Sequence, residues 1–326
     1  VEAAHDPLDI AAALSRVAEA ALICAVEAAS DEFARTHGRI AGSELVVLGL
    51  GRLGGGILTH ASDLDLIYLF SGNFDDETAT IESDGARPLT RSHYFNRLAQ
   101  RVSAAMSVPT AAGALYEVDT RLRPQGNQGP LAVTIDSFAR YQKESAWTWE
   151  HMALTRARVL AGPPDARAEL ESIISQVLHR PRDPATLKAD VLKMRSEMAA
   201  HKKPQGVLDA KLARGALVDL EFLVHFVQLR ERAGFDPNLG TAIEILVGKG
   251  LLPSELRQAH ELMARLLVAA RLLAPDLSLP PEPSASVLAR SCGLDTPAAL
   301  LQAFDDARHD VAKAWAEQFG EELEIE

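Results

Sequence analysis

Ser62-Asp63-Leu64-Asp65-Leu66 is the stretch of this 326-residue sequence with the most explicit chemistry. On a strand, residues two apart project from one face with Cα atoms roughly 6 to 7 Å apart, so Asp63 and Asp65 stand side by side. Leu64 and Leu66 then point the other way, into a core. Two carboxylates at the mouth of an apolar strand are costly unless cations or solvent compensate. Two divalent metals about 3.5 to 4 Å apart would use such a pair to clamp a triphosphate and an attacking oxygen. The plainer alternative is a solvated strand end.

A third carboxylate would complete a metal site. Tyr116-Glu117-Val118-Asp119 reads as the end of a later strand, followed by Thr120-Arg121-Leu122-Arg123-Pro124. Alternation puts Glu117 and Asp119 on one face, so spacing alone leaves the choice between them open. Arg121 and Arg123, one strand period apart, could grip phosphate oxygens bidentately or form surface ion pairs.

Just upstream, Gly49-Leu50-Gly51-Arg52-Leu53-Gly54 matches the dinucleotide-binding pattern G-x-G-x-x-G. That pattern needs a crossover helix of a dozen or so residues leading to a parallel strand. Only nine residues, Gly55 to Asp63, are available, so the dinucleotide reading fails on length. The spacing does allow a turn at Gly54-Gly55, where glycines let backbone approach a phosphate closely.

These residues need elements to hold them. Residues 8 to 36 carry an apolar stripe at helical spacing (Leu8, Ala11, Leu14, Val17, Ala21, Ala25, Ala28), which predicts a long lead-in helix. Leu45 to Leu50 and Leu64 to Phe70 read as buried strands, and Ala114 to Val118 as a third. Residues 71 to 91 read as a solvated loop. Phe95, Leu98, Val102 and Met106 predict a helix over 92 to 106. From about residue 166 the pattern is helical. Asp183-Pro184 and Thr296-Pro297 mark helix starts, Pro280-Pro281-Glu282-Pro283 a break, and Leu300, Phe304, Val311, Trp315 and Phe319 the stripe of a last long helix. The expectation is an α+β chain: a lead-in helix over 1–40, a catalytic domain over 41–165, and an all-helical domain over 166–326.

Composition narrows the function classes. The net charge of -12 argues against a nucleic-acid partner, which normally meets a basic face. No apolar run is long enough to span a membrane. Cys24 and Cys292 lack metal spacing and read as reduced core thiols of a cytoplasmic protein. The opening Val1-Glu2-Ala3-Ala4 has neither a basic n-region nor an initiator Met, so it reads as part of a longer chain rather than a signal peptide.

Taken together, Gly49 to Gly55, Ser62 to Asp65 and Leu115 to Pro124 resemble the signature of glutamine synthetase adenylyltransferases, within the polymerase-β-like nucleotidyltransferase superfamily. Ala146-Trp147-Thr148-Trp149-Glu150-His151 with Arg156-Ala157-Arg158 is similar to the C-terminal, adenylylating half of those enzymes. Asp209-Ala210-Lys211 and Asp219-Leu220-Glu221-Phe222 extend the likeness into the helices. Ala216, Met152 and His225 depart from the family pattern.

The resemblance implies a small mixed sheet with helices, followed by a helical bundle. It implies that Asp63, Asp65 and Asp119 hold Mg²⁺ and carry the catalysis. Gly54, Gly55, Ser62, Arg121 and Arg123 then contact ATP. It further implies glutamine synthetase as the partner, with the PII signalling protein as a second candidate, and AMP transfer to a tyrosine as the reaction. Phosphorolytic AMP removal, or regulator binding without chemistry, are the alternatives. Plainer roles are expected elsewhere: packing for Trp147 and Trp149, an ion pair for Asp219 or Glu221, an exposed amine for Lys211, and no ligation by His60 or His151.

Overall fold

The computed structural model describes residues 6–72, 81–111 and 113–325, so part of the expected 71–91 loop and the first residues lie outside the described residues. The chain divides into two compact units. One comprises Ser15–Gly56 and Ser62–Leu178, and the other Val1–Leu14, Ile57–Ala61 and His179–Glu326. Helix α1 (Pro7–His37) contributes residues to both. Its buried positions include Ala11, Ala18, Leu22 and Phe33, while Val17 is exposed, so the face differs from the expected stripe. In an alanine-rich helix the faces are nearly equivalent, and the few large side chains decide which one turns inward.

The first unit is built on a small mixed sheet. Strands β1 (Leu45–Gly49) and β2 (Leu64–Phe70) pair antiparallel, with α2 (Gly51–Gly54) between them in sequence. An antiparallel neighbour excludes the βαβ crossover that a dinucleotide fold requires. Helix α3 (Arg91–Ser107) lays Phe95, Leu98, Val102 and Met106 into the core, with the Phe95 ring stacked on Phe70 at 4.5 Å. Next come β3 (Val118–Asp119), β4 (Ala132–Thr134), α4 (Ile135–Glu144), α5 (Thr148–Leu154), β5 (Arg158–Ala161) and α6 (Pro164–His179).

The sheet order is β3-β2-β1-β5. With β1 on one edge of β2, its other edge is shared: β3 runs parallel to its start and β4 parallel to its end. The third strand is shorter than the expected Ala114 to Val118 and starts where that segment ends. The Tyr116 N–H is given to the Met106 carbonyl, Leu115 is exposed, and the ladder begins only where the Glu117 carbonyl accepts from the Leu64 N–H at 2.8 Å. Burial on both faces explains why β1 and most of β2 read as continuous apolar runs.

The second unit is helical: α7 (Pro184–His201), α8 (Leu217–Glu231), α9 (Leu239–Gly248), α10 (Glu255–Leu273), α11 (Ser284–Ser291) and α12 (Pro297–Phe319). The expected starts hold, since the Asp183 side chain accepts from the Thr186 N–H and Thr296 from the Ala299 N–H. Leu300, Phe304, Val311, Trp315 and Phe319 are all buried on α12. Helix α8 is buried nearly all round and forms the centre of the unit. Among the described residues no helix is long and apolar enough to cross a membrane.

Candidate functional site

Asp63, Asp65 and Asp119 converge. One carboxylate oxygen from each lies within 4.8 Å of the others, with Asp63 exposed and the other two half-buried. The convergence follows from the register. Strand β3 pairs parallel with the first residues of β2, which sets Asp65 opposite Asp119 across the ladder. On β2, Leu64 and Leu66 are fully buried while Asp65 faces outward, as strand alternation requires. Glu117 is exposed and belongs to no such cluster among the described residues; its contribution is the backbone carbonyl that starts the β2–β3 ladder.

Two unit charges about 4 Å apart repel by about 4 kcal/mol at an effective dielectric of about 20, so three carboxylates at this spacing call for cations. Arg121 supplies one. Its backbone N–H donates to Asp119 Oδ1 at 2.8 Å, and its Nε donates to Oδ2 at 2.8 Å, with Nη2 also on Oδ2. The side-chain hydrogen bond from Arg121 holds the Asp119 carboxyl below its ordinary range, against an opposing push from partial burial. The expected phosphate ligand is thus engaged with a carboxylate of the cluster. Arg123 turns elsewhere: Nη1 donates to the Thr120 carbonyl at 2.8 Å and to Thr120 Oγ1 at 3.0 Å, which closes the turn after β3.

The glycine segment packs against the cluster. Gly51 has φ +55°, and a Cβ there would collide with Asp65 Oδ2. Both facts require glycine, and together they seat Asp65 against bare backbone. A Cβ on Gly54 would strike the Arg156 carbonyl. The Gly54 N–H bonds the Leu50 carbonyl at 2.8 Å and the Gly55 N–H bonds Gly51 at 3.1 Å, so both donors serve the turn itself. The Gly54 carbonyl accepts from Arg158 Nε at 2.6 Å, and Arg158 also pairs with Glu19 on α1. Ser62, half-buried, immediately precedes Asp63.

Several other candidates have structural roles. Asp219 is 0% exposed and accepts from Arg195 Nε at 2.5 Å, Arg195 Nη2 at 3.1 Å and the Gly215 N–H at 2.8 Å. Asp209 accepts the backbone N–H groups of Gln205, Lys211 and Leu212, which fixes the loop carrying Lys211. His151 is buried with Nε2 3.0 Å from the Gln142 carbonyl, and His60 is exposed. Trp147 is 68% exposed, against the packing expected of it, and Trp149 is also exposed.

Sequence reasoning missed the seat that Gly51 makes for Asp65 and the hydrogen bond between Tyr141 and Glu150. Gly51 was hidden inside the discarded G-x-G-x-x-G pattern. Nothing in the spacing of Tyr141 and Glu150 announced that their side chains meet at 3.2 Å. A buried carboxylate three residues after a helix cap, as in a capping box, was the available signal.

Comparison with known proteins bears on the family of the chain. The family described as glutamate-ammonia ligase adenylyltransferase matches residues 3–173. A Mesorhizobium japonicum protein is 44% identical over 241 residues, covering 74% of this chain and 24% of the relative. A Brucella suis protein is 42% identical over 270 residues, 81% of this chain and 27% of the relative. A Bradyrhizobium protein is 48% identical over 200 residues, 61% of this chain and 20% of the relative. All three relatives are named bifunctional glutamine synthetase adenylyltransferase/adenylyl-removing enzyme. The chain spans about a quarter of the length of the curated relatives it matches.

Proposed function

The chain belongs to the glutamate-ammonia ligase adenylyltransferase family, and on that premise we propose that it transfers AMP from ATP to a tyrosine hydroxyl of glutamine synthetase. The observation that carries the reading is the convergence of Asp63, Asp65 and Asp119 at the mouth of β2 in a small mixed sheet, an arrangement that supports a nucleotidyltransferase fold of the polymerase-β-like kind.

The residues fit Mg²⁺. They offer hard oxygen donors only, a high local negative charge, and enough exposure for water and phosphate oxygens to complete a coordination shell. Asp63, Asp65 and Asp119 would hold the ion or ions. Bound there, Mg²⁺ would neutralise the triphosphate and lower the pKa of the attacking hydroxyl.

The protein's own part is to place the groups. The acceptor oxygen forms a bond to the α-phosphorus of ATP as the bond to the β-phosphate oxygen breaks, and pyrophosphate leaves with that electron pair. The phenolic proton has an ordinary pKa near 10 and must leave in the same step, to a carboxylate of the site or to solvent. Asp119, held low by Arg121, is better suited to remain an anionic ligand than to act as that base. Gly51, without a Cβ, leaves room for the Asp65 carboxylate. Arg121, beside Asp119, is the cation placed to meet phosphate oxygens, whereas Arg123 holds the turn after β3 through Thr120. Gly54 and Gly55 shape the turn, their own N–H groups already satisfied within it.

Incubation with purified glutamine synthetase, ATP and Mg²⁺, read by intact mass, tests the reading. The acceptor should gain one AMP per modified subunit. An acceptor of unchanged mass at saturating ATP would overturn it. The relatives' names also include adenylyl removal. The same assay run on adenylylated acceptor with inorganic phosphate separates the two directions.

A further inference from the structure

The turn that seats Asp65 has little to hold it from within. Residues 51–56 include four glycines, the residue type that loses most backbone freedom on folding. Helix α2 is a single turn of four residues, too short for helix formation to sustain itself. Its backbone bonds run from the Gly54, Gly55 and Gly56 N–H groups to the Leu50, Gly51 and Leu53 carbonyls.

Arg158 supports this turn at both ends. On β5 its Cα partner in β1 is Gly49, two residues before α2 begins. Its side chain reaches the other end, where Nε donates to the Gly54 carbonyl at 2.6 Å and Nη2 to the Leu53 carbonyl at 3.0 Å. Carbonyls at a helix C-terminus lack intrahelical donors and favour a cation. Glu19 on α1 pairs with Nη2 and holds the guanidinium in place. All of these residues belong to the first unit. The same turn meets Asp65 twice. The Leu50 N–H donates to the Asp65 carbonyl at 3.0 Å, and Gly51 lies so close to Asp65 Oδ2 that a Cβ would collide with it.

We propose that Arg158, oriented by Glu19, is a positioning residue that clamps the 49–55 turn and so fixes Asp65 within the carboxylate cluster. This rests on the metal-site reading above. The Nε and Nη2 donors of Arg158 are committed to protein oxygens, so it acts through α2 and not on the nucleotide.

The test compares Arg158→Met, Arg158→Lys and Glu19→Gln with the unmodified chain. Hydrogen exchange is read at the Gly54 and Gly55 amides, and Mn²⁺ affinity by electron paramagnetic resonance. Arg158→Met keeps an apolar stem and removes the donors. Exchange at the two glycines should rise at least about tenfold while α3 stays protected, since one charge-assisted hydrogen bond is worth about that factor. Mn²⁺ affinity should fall by a similar factor of about ten. The kcat for transfer should fall with it and recover at raised Mn²⁺, a recovery that loss of folded protein would not show. Arg158→Lys, which still donates to a carbonyl, should restore part of both. Glu19→Gln should shift both in the direction of Arg158→Met by about threefold, because a neutral acceptor is roughly half as strong as a carboxylate.

Unchanged exchange at Gly54 and Gly55 in Arg158→Met would overturn the clamp, whatever the metal does. Loosened exchange with unchanged Mn²⁺ affinity would overturn its link to Asp65. If the unmodified chain bound no Mn²⁺, the metal-site reading would fall and the link to Asp65 with it, while the exchange measurement would still judge the clamp. If Arg158→Met misfolds, Arg158→Lys and Glu19→Gln decide by the same two readings.

Discussion

Asp119 is where the electrostatics of the cluster are most constrained, because both its oxygens accept from Arg121. A metal drawing on Asp119 must compete with that guanidinium. Arg121→Ala should therefore tighten Mn²⁺ binding in the absence of nucleotide by about tenfold, the scale of one charge-assisted hydrogen bond. It should also raise the KM for ATP, because a cation near the phosphates is lost. Weaker Mn²⁺ binding in the nucleotide-free variant would mean that Arg121 organises the cluster rather than competing for it. Asp65→Asn should leave less than about a tenth of the turnover, a loss of at least about 1.4 kcal/mol in barrier height. Its thermal unfolding should stay near that of the unmodified chain, since the side chain faces outward and its neutralisation relieves repulsion. The Asp-x-Asp pair and its alternation with buried leucines were legible in the sequence because strand geometry has a fixed period of two. Spacing alone did not separate Glu117 from Asp119; the resemblance named Asp119, the residue found in the cluster. Spacing fell short because the choice depends on where a two-residue ladder starts, and pairing register is set by a partner strand some fifty residues away in sequence.

At the scale of elements, β1, β2, α3 and the helix starts at Thr296 and Asp183 were legible because each rests on local physics: continuous apolar runs, helical spacing and caps. The short strands β4 and β5 were not, since three or four residues carry no period to detect. Helix α1 was foreseen with nearly its observed length but with the wrong face inward. Helices α7 and α8 are joined by the Arg195–Asp219 pair, with side chains 5% and 0% exposed. Removing one partner of a buried pair strands the other, so Arg195→Ala should cost about 3 to 5 kcal/mol of stability. Urea denaturation measures this directly. A change within about 0.5 kcal/mol, the range of ordinary surface substitutions, would show that the pair is solvated in practice. Gly51→Ala tests the turn between β1 and β2. Left-handed backbone alone costs about 1 to 2 kcal/mol for a residue with a Cβ, and the clash with Asp65 adds to that. Turnover should fall together with the melting temperature, and full activity in a stable variant would contradict the packing described for Asp65.

Across the whole molecule the two cysteines report on burial in different regions of the chain. Cys24 is exposed and Cys292 is buried, with desolvation pushing its thiol up to about 12. A thiol reagent at neutral pH should therefore modify one cysteine of the native chain rapidly and the second only on denaturation. Two fast equivalents would contradict the packing of α11 and its neighbours. The expectation of two core thiols was wrong for Cys24, because the apolar side of α1 was misjudged. What the whole sequence did reveal was an α+β chain with a small sheet unit and a helical remainder, since composition and period change along its length. The central claim is that the three converging aspartates are the catalytic centre of AMP transfer. It is tested most directly by comparing Asp119→Ala with Glu117→Ala, measuring labelled AMP incorporated from ATP into glutamine synthetase. Asp119→Ala should lose transfer by more than about a hundredfold, and Glu117→Ala should stay within about threefold of the unmodified chain, a difference of more than about 2 kcal/mol in barrier height. The reverse ranking, or equal activity in the two variants, would contradict the account.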